Sequence, residues 1–180
     1  MKVLAISGSL RRDSYNAKLL QAAAGLLPDH VELELWDGLK AVPPYDEDQD
    51  VEPAPAAVTD LRDAIAGADA ILFATPEYNH SVPGQLKNAL DWASRPRETS
   101  SFRGKPVAVI GASPGAFGGV WAQADMRRGL GLVGSRVVEA ELALGRAHER
   151  LAEPDDDLVA QLKAALGLLV DEAGARVAAA

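Results

Sequence analysis

A chain of 180 residues, 48% of them hydrophobic, is long enough to bury a sizeable core as one domain, and this composition excludes a disordered protein. The formal net charge of −8 argues against a nucleic-acid partner, because the nucleic-acid phosphates would be repelled. The absence of cysteine excludes a disulfide, a thiolate nucleophile and a cysteine metal site, and three scattered histidines without ligand spacing predict no metal site.

Targeting signals and membrane spans are not expected either. The chain opens directly on a strand pattern without a signal peptide, and no apolar run approaches the length of a membrane span. We therefore expect a soluble cytoplasmic protein with one domain over residues 1–180 and with no membrane partner.

The first predicted strand and the loop after it are the most informative part of the chain. Residues 3–6 form an apolar run typical of a buried strand, the run stops at Ser7, and helical spacing extends from Asn16 to Leu27. A strand, a Gly/Ser loop and a helix start form an anion site, because the first N–H groups of a helix lack intrahelical partners. The loop concentrates polar and cationic groups at Ser7, Ser9, Arg11, Arg12, Ser14 and Asn16.

A phosphate is the simplest ligand for this cluster. The loop lacks the Gly-Lys-Ser/Thr of a P-loop and the three glycines of a dinucleotide fingerprint, so side-chain hydroxyls and backbone amides would hold the phosphate. The alternative is an ordinary strand-to-helix turn in which Ser14 or Asn16 only caps the helix.

The rest of the chain alternates between strand and helix patterns. Strands are predicted at 31–36, at 70–75, at 107–111 and, more weakly, at 136–142, and helices at 56–67, 84–93, 120–132 and 158–177. The strict alternation of residues 31–36 indicates an edge strand. Residues 37–55 are expected to be a solvated loop, and a role in covering a ligand is the less favoured alternative. Five strands that are each followed by a helix predict an α/β protein with a parallel sheet covered on both faces.

Ligands of such sheets lie beyond the carboxyl ends of the strands, so the loops after strands one, three and four are the ones to compare. The loop after strand three reads TPEYNHSVPG and is polar and aromatic, whereas the loop after strand four reads ASPGAFGG, where glycines allow a flat ligand to approach the backbone. A phosphate at the first loop and a planar hydrogen-bonding ring between the other two match flavin mononucleotide (FMN).

Three motifs resemble the NADPH-dependent FMN reductase family, which includes quinone, chromate and azo-dye reductases of the short flavodoxin-like type. They are GSLRRDSYN at 8–16, TPEYNHSVPGQLKNALDW at 75–92 and SPGAFGG at 113–119. The resemblance implies a flavodoxin-like, doubly wound, five-stranded parallel sheet. It also implies an FMN phosphate site at Ser9, Arg11, Ser14 and Asn16, with the ring and ribityl chain bordered by Pro76, Glu77, Tyr78, Asn79, Ser113, Gly115 and Gly118.

The implied function is an FMN-dependent oxidoreductase. NADPH or NADH would reduce the bound flavin, and an acceptor would then take the electrons on the same face, by ping-pong kinetics. The candidate acceptors are quinones, azo compounds, metal oxyanions and free flavin, and the family also implies a homodimer or homotetramer. Two alternatives are a flavodoxin-like electron carrier and a non-catalytic sensor of a phosphorylated ligand.

No side chain is expected to act as a catalytic acid or base, since the flavin itself supplies the redox chemistry. Glu77 is the obvious candidate for such a role. We favour the interpretation that its carboxylate orients the loop or accepts a backbone N–H. The sequence assigns no role to His80.

Overall fold

The computed structural model describes residues 1–178, in which six parallel strands form a sheet with helices on both faces. The strands are β1 (Lys2–Ser7), β2 (Glu32–Trp36), β3 (Ala70–Ala74), β4 (Pro106–Ala112), β5 (Arg136–Val137) and β6 (Ala143–Leu144). The helices are α1 (Tyr15–Ala24), α2 (Ala56–Ala66), α3 (Gly84–Ala93), α4 (Val120–Leu132), α5 (Ala147–Arg150) and α6 (Asp156–Ala178). The order β2-β1-β3-β4-β5 is the flavodoxin-like order, as the sequence predicts.

Two hydrophobic cores lie on opposite faces of the sheet, because successive strand residues point to opposite faces. In β1, Val3 and Ala5 pack towards α1 and α6, whereas Leu4 and Ile6 pack towards α2, α3 and α4. Every residue of β3 and β4 is buried, which explains their continuous apolar sequences.

The predicted fifth strand, 136–142, is split in two. β5 pairs with the start of β4 and β6 pairs with its end, and between them the Ala140 N–H donates to the Val138 carbonyl and turns the chain. Arg127 of α4 fills this interruption. Its side chain is only 14% exposed, and its Nη1 donates to the carbonyl oxygens of Val109 and Ala140.

Residues 37–55 are not a solvated loop throughout, so that prediction is wrong for their first part. The segment contains two short 3₁₀ helices, and its Leu39 and Val42 are buried in the core beside α2 and α3. The Pro43 carbonyl accepts hydrogen bonds from Trp92 Nε1 at 2.8 Å and from Asn88 Nδ2 at 2.7 Å. Side chains of α3 therefore anchor the segment.

Lys105 is buried at the opposite end of the sheet from the predicted site. Its ammonium donates to the carbonyls of Ala66 and Ala68 at the end of α2, where a cation is favourable. Burial lowers the pKa of Lys105, and the nearby charge of Arg176 acts in the same direction.

None of the helices within residues 1–178 has both the length and the apolarity that a membrane crossing requires.

Candidate functional site

Three loops meet beyond the carboxyl ends of the central strands and enclose a cavity of about 310 Å³. They are the β1 loop (8–14), the β3 loop (75–83) and the β4 loop (113–119). The cavity is lined by Ser9, Arg11, Ser14, Tyr15, Asn16, Pro76, Glu77, Tyr78, Ala112, Ser113 and Pro114. The structure thus brings eight of the eleven predicted site residues to one cavity and leaves Asn79, Gly115 and Gly118 outside its wall.

The first turn of α1 forms the polar end of the cavity. Ser14, which is only 3% exposed, caps the helix by accepting the Ala17 N–H on its hydroxyl at 3.2 Å, and its carbonyl accepts the Lys18 N–H. The N–H groups of Tyr15 and Asn16 have no acceptor within the described residues. The capping interpretation of Ser14 is therefore confirmed, and two helix N–H groups beside it are still available to an anion.

The side chain of Asn16 does not face a phosphate as predicted but bonds the backbone of Ala112. Its Nδ2 donates to the Ala112 carbonyl at 3.0 Å, and its Oδ1 accepts the Ala112 N–H at 2.9 Å. Both ends of the amide are thus committed to the end of β4, and only the backbone N–H of Asn16 can serve a ligand. Asn16 joins the β1 loop to the strand that carries the β4 loop.

Arg11 lies at the rim of the cavity and is exposed. Its guanidinium donates to the Asp13 carbonyl and lies over the Tyr15 ring, 5.0 Å from the ring centre. Its backbone N–H donates to Ser9 Oγ at 3.4 Å. These contacts hold a cation beside the uncommitted helix N–H groups.

Gly8 allows the β1 loop and the β3 loop to approach each other. A Cβ added at Gly8 would lie 2.6 Å from a methyl carbon of Leu86 and 3.3 Å from Pro76. The Gly8 N–H donates to the Ala74 carbonyl at 2.8 Å, which fixes this approach. A larger residue would have to displace the Leu86 side chain, which lies in the first turn of α3.

Glu77 connects the β3 loop to α4. Its Oε2 accepts the backbone N–H of Trp121 at 2.9 Å and that of Ala122 at 3.1 Å, in the first turn of the helix. The interpretation that this carboxylate accepts backbone N–H groups is confirmed, and a negative charge is favoured at this helix end. Glu77 lines the cavity while its charge is directed at α4.

The tip of the β3 loop turns away from the cavity. Tyr78 and Ser81 exchange backbone hydrogen bonds, and the two residues between them, Asn79 and His80, have positive φ values of 53° and 59°. The His80 ring packs on the Trp121 ring with their centres 4.4 Å apart. This contact, which the sequence analysis missed, has no local signal because it joins the β3 loop to α4, 41 positions further along the chain.

The two glycines predicted at the site from the β4 loop occupy other places. Gly115 is exposed, its φ is not positive, and an added Cβ would meet only Ser113 Oγ, at 3.4 Å. Gly118 is buried with φ 60°, and an added Cβ would lie 2.1 Å from the Ala143 carbonyl carbon. Gly118 is needed for the close approach of the loop to β6 and is not part of the cavity wall. Of the three residues predicted from the β4 loop, Ser113 lines the cavity and the two glycines do not.

The residues present fit FMN. The cavity volume of about 310 Å³ lies at the lower end of the usual range for small-ligand sites, and its outer side is open. One end offers uncommitted helix N–H groups, a buried hydroxyl and a guanidinium for a phosphate, and the other end offers Pro76, Tyr78 and Ser113 for a planar ring. The described residues contain no cluster of three potential metal ligands.

Comparisons with known proteins agree with this geometry. The family model described as NADPH-dependent FMN reductase matches residues 1–149. An NAD(P)H-dependent FMN reductase of Pseudomonas aeruginosa is 53% identical over 130 residues, which cover 72% of this chain and 69% of the relative. A quinone reductase of Escherichia coli is 34% identical over 155 residues, which cover 86% of this chain and 82% of the relative.

Solved structures give the same picture. The flavoenzyme NAD(P)H:(acceptor) oxidoreductase FerB of Paracoccus denitrificans superimposes with a TM-score of 0.80 at 34% identity, over 95% of this chain and 98% of that one. The apo form of an NADH:FMN oxidoreductase superimposes with a TM-score of 0.67 at 28% identity, over 92% of this chain and 86% of that one.

Proposed function

Since the chain belongs to the NADPH-dependent FMN reductase family and is an FMN-dependent NAD(P)H oxidoreductase, we propose that FMN occupies the cavity between the three loops. The observation that carries the proposal is the polar end of that cavity, where buried Ser14 and the uncommitted N–H groups of Tyr15 and Asn16 lie together. This group of donors suits a phosphate dianion.

The chain's own residues bind and orient the cofactor. Ser9, Arg11 and Ser14 hold the phosphate together with the backbone N–H of Asn16. Pro76, Tyr78 and Ser113 border the ring, and Glu77 keeps the β3 loop in place by its bonds to α4. Bound FMN supplies the hydride-accepting and electron-donating chemistry, and no protein acid is required at the reacting atom.

The open side of the cavity serves both substrates in turn. One shared face requires the oxidised nicotinamide product to leave before the acceptor enters, which gives ping-pong kinetics. The acceptor is a small molecule, and we favour quinones because several relatives carry the name quinone reductase. The cytoplasm, where NAD(P)H is available, is the expected location.

A second copy of the chain is proposed to cover part of the open side. Phe117 is 65% exposed, Tyr78 is 57% exposed and Trp121 is 40% exposed, and the Phe117 and Trp121 rings contact each other beside the cavity. Exposed aromatic groups of this kind are typical of interfaces. Light scattering of the protein and of Trp121→Glu tests this point: a dimer or tetramer that dissociates in the variant is expected, and a monomeric parent would contradict it.

Titration of the apoprotein with FMN and riboflavin tests the cofactor site. Arg11→Ala should weaken FMN binding by about 1.5–3 kcal/mol, the scale of a hydrogen bond to a charged group, and leave riboflavin binding unchanged. Arg12→Ala is the matched control, because Arg12 is exposed in the same loop and does not line the cavity. Equal losses for both ligands in Arg11→Ala, or an FMN affinity equal to that of the parent, would contradict the phosphate assignment.

A further inference from the structure

A second cavity of about 310 Å³ lies on the other side of the β1 loop. It opens beyond the carboxyl ends of β1 and the edge strand β2, and Ser9 lines both this cavity and the FMN cavity. We call it the edge groove. Its walls also include Leu10, Leu35, Trp36, Asp37 and Lys40.

Most of the wall of the edge groove is apolar, and part of it is held in place. Leu10 is 51% exposed and Leu35 is 44% exposed, so two large apolar side chains face solvent there. The Trp36 indole is fixed, since its Nε1 donates to Asp60 at 2.7 Å and its ring lies so close to Gly38 that an added Cβ would be 2.5 Å away. A flat apolar ring has a preformed surface here.

The two charged side chains of the edge groove are the carboxylate of Asp37 and the ammonium of Lys40. Asp37 follows β2 directly, is exposed and forms no side-chain cap with the 3₁₀ helix that it precedes. In Rossmann sheets an acidic residue at the end of the second strand holds the adenosine ribose of NAD, whereas NADP requires a cation for its 2′-phosphate. Lys40, one turn further on, adds an exposed ammonium suited to a phosphate.

The edge groove lies at a distance from the FMN cavity that a dinucleotide can span. Neighbouring strands are about 4.8 Å apart, so the region beyond β2 is about 12 Å from the region between the ends of β3 and β4, where the flavin ring is proposed. A nicotinamide dinucleotide with its ring at the flavin has its adenosine half left over, and an extended pyrophosphate link can span that distance across the β1 loop.

We propose that the edge groove binds the adenosine half of NADH, with adenine on Leu10, Leu35 and Trp36, the ribose hydroxyls on Asp37, and Lys40 beside the adenosine phosphate. This inference rests on the proposed function, because it assumes that the nicotinamide ring lies in the FMN cavity. It assigns the edge of the sheet to recognition of the donor's adenosine half, while the nicotinamide ring and the acceptor use the open side of the FMN cavity in turn.

Two measurements on the FMN-loaded protein test the edge groove. The first is calorimetric titration with AMP, which contains the adenosine half alone. The second is stopped-flow bleaching of the flavin by NADH and by reduced nicotinamide mononucleotide, a donor without adenosine. The variants are Leu35→Glu and Asp37→Asn, and Leu132→Glu on α4 is the control, because Leu132 is 74% exposed and lies outside both cavities.

Leu35→Glu should lose AMP binding by at least about tenfold, since it places a carboxylate where adenine packs. The ratio of the second-order rate constants for NADH and the truncated donor should fall by a similar factor in Leu35→Glu and in Asp37→Asn, and should stay constant in Leu132→Glu.

Absence of AMP binding to the parent, or an equal loss with both donors, would overturn the assignment of the edge groove and leave the FMN site standing. A parent that binds AMP without bleaching by either donor would instead contradict the proposed function. A change of oligomeric mass in Leu35→Glu without AMP binding to the parent would identify the edge groove as an interface between copies and would overturn the inference.

Discussion

Replacing Glu77 with glutamine distinguishes two possible roles of this carboxylate, a cap of α4 and a catalytic acid. The amide oxygen of Glu77→Gln can still accept the N–H groups of Trp121 and Ala122, so the geometry survives and the charge is lost. A net hydrogen bond to a charged group stabilises by about 1.5–3 kcal/mol and a neutral one by about 0.5–1.5 kcal/mol. Because Glu77 is only half-buried, the loss of charge should weaken each of its two hydrogen bonds by an amount near the lower limit of the difference between these two ranges.

The expected cost of Glu77→Gln is therefore about 1–2 kcal/mol in the free energy of unfolding. For a chain of this size each kcal/mol shifts Tm by about 2–4 °C. Glu77→Ala removes the acceptor entirely and leaves two N–H groups unsatisfied at the start of α4, so it should lower Tm further. Glu153→Gln, at an exposed position outside the cavity, controls for the change in net charge.

The assay is stopped-flow bleaching of the FMN-loaded protein by NAD(P)H, together with a thermal melt. The bleaching rate of Glu77→Gln should stay within a few-fold of the parent, because a general acid would contribute about 10²–10⁴-fold. A loss of that size with FMN still bound and an unchanged Tm would refute the capping argument and identify Glu77 as a catalytic acid.

Three further predictions concern stability. Gly118→Ala should cost at least about 3 kcal/mol, because its Cβ would clash with the Ala143 backbone at a positive φ; a urea midpoint equal to that of the parent would contradict this. Asn16→Ala leaves the buried backbone groups of Ala112 unpaired and should lower the free energy of unfolding by about 2–4 kcal/mol in the same assay. A loss under about 1 kcal/mol, the value of one ordinary hydrogen bond, would show that this pairing is not needed for stability. The pKa of Lys105 in the folded chain lies below its unfolded value near 10.5. At a pH between these two values the unfolded chain binds more protons than the folded chain. The stability of the parent relative to Lys105→Met should therefore rise with pH across this range. A difference that falls or stays flat there would contradict the burial effect.

Hydrophobic periodicity predicted the regular elements well, because it depends on residues that are close in the chain. The bounds of α3, Gly84–Ala93, and of α4, Val120–Leu132, match the sequence prediction to the residue. α1 ends three residues earlier than predicted, at Ala24, since Gly25 takes the capping position.

The candidate site was predictable only where it depends on local sequence. Ser14 could be identified as a cap because it lies three residues from its partner, Ala17. The partners of Asn16 and Glu77 lie 96 and 44 positions away, so no local pattern signals either contact. The roles of these two residues depend on which loops the sheet order brings together.

The split of the predicted fifth strand into β5 and β6 limits how readily the border of the sheet pairs with another chain. A long flat strand at the border of a sheet exposes unpaired N–H and C=O groups that can recruit another chain. Here β5 and β6 have two residues each, and on the opposite border β2 carries Glu32 and Glu34, with Glu34 paired to Lys2. Both borders are therefore poor templates for intermolecular strand pairing, and a variant that straightened residues 138–142 into one continuous strand would create an aggregation-prone edge.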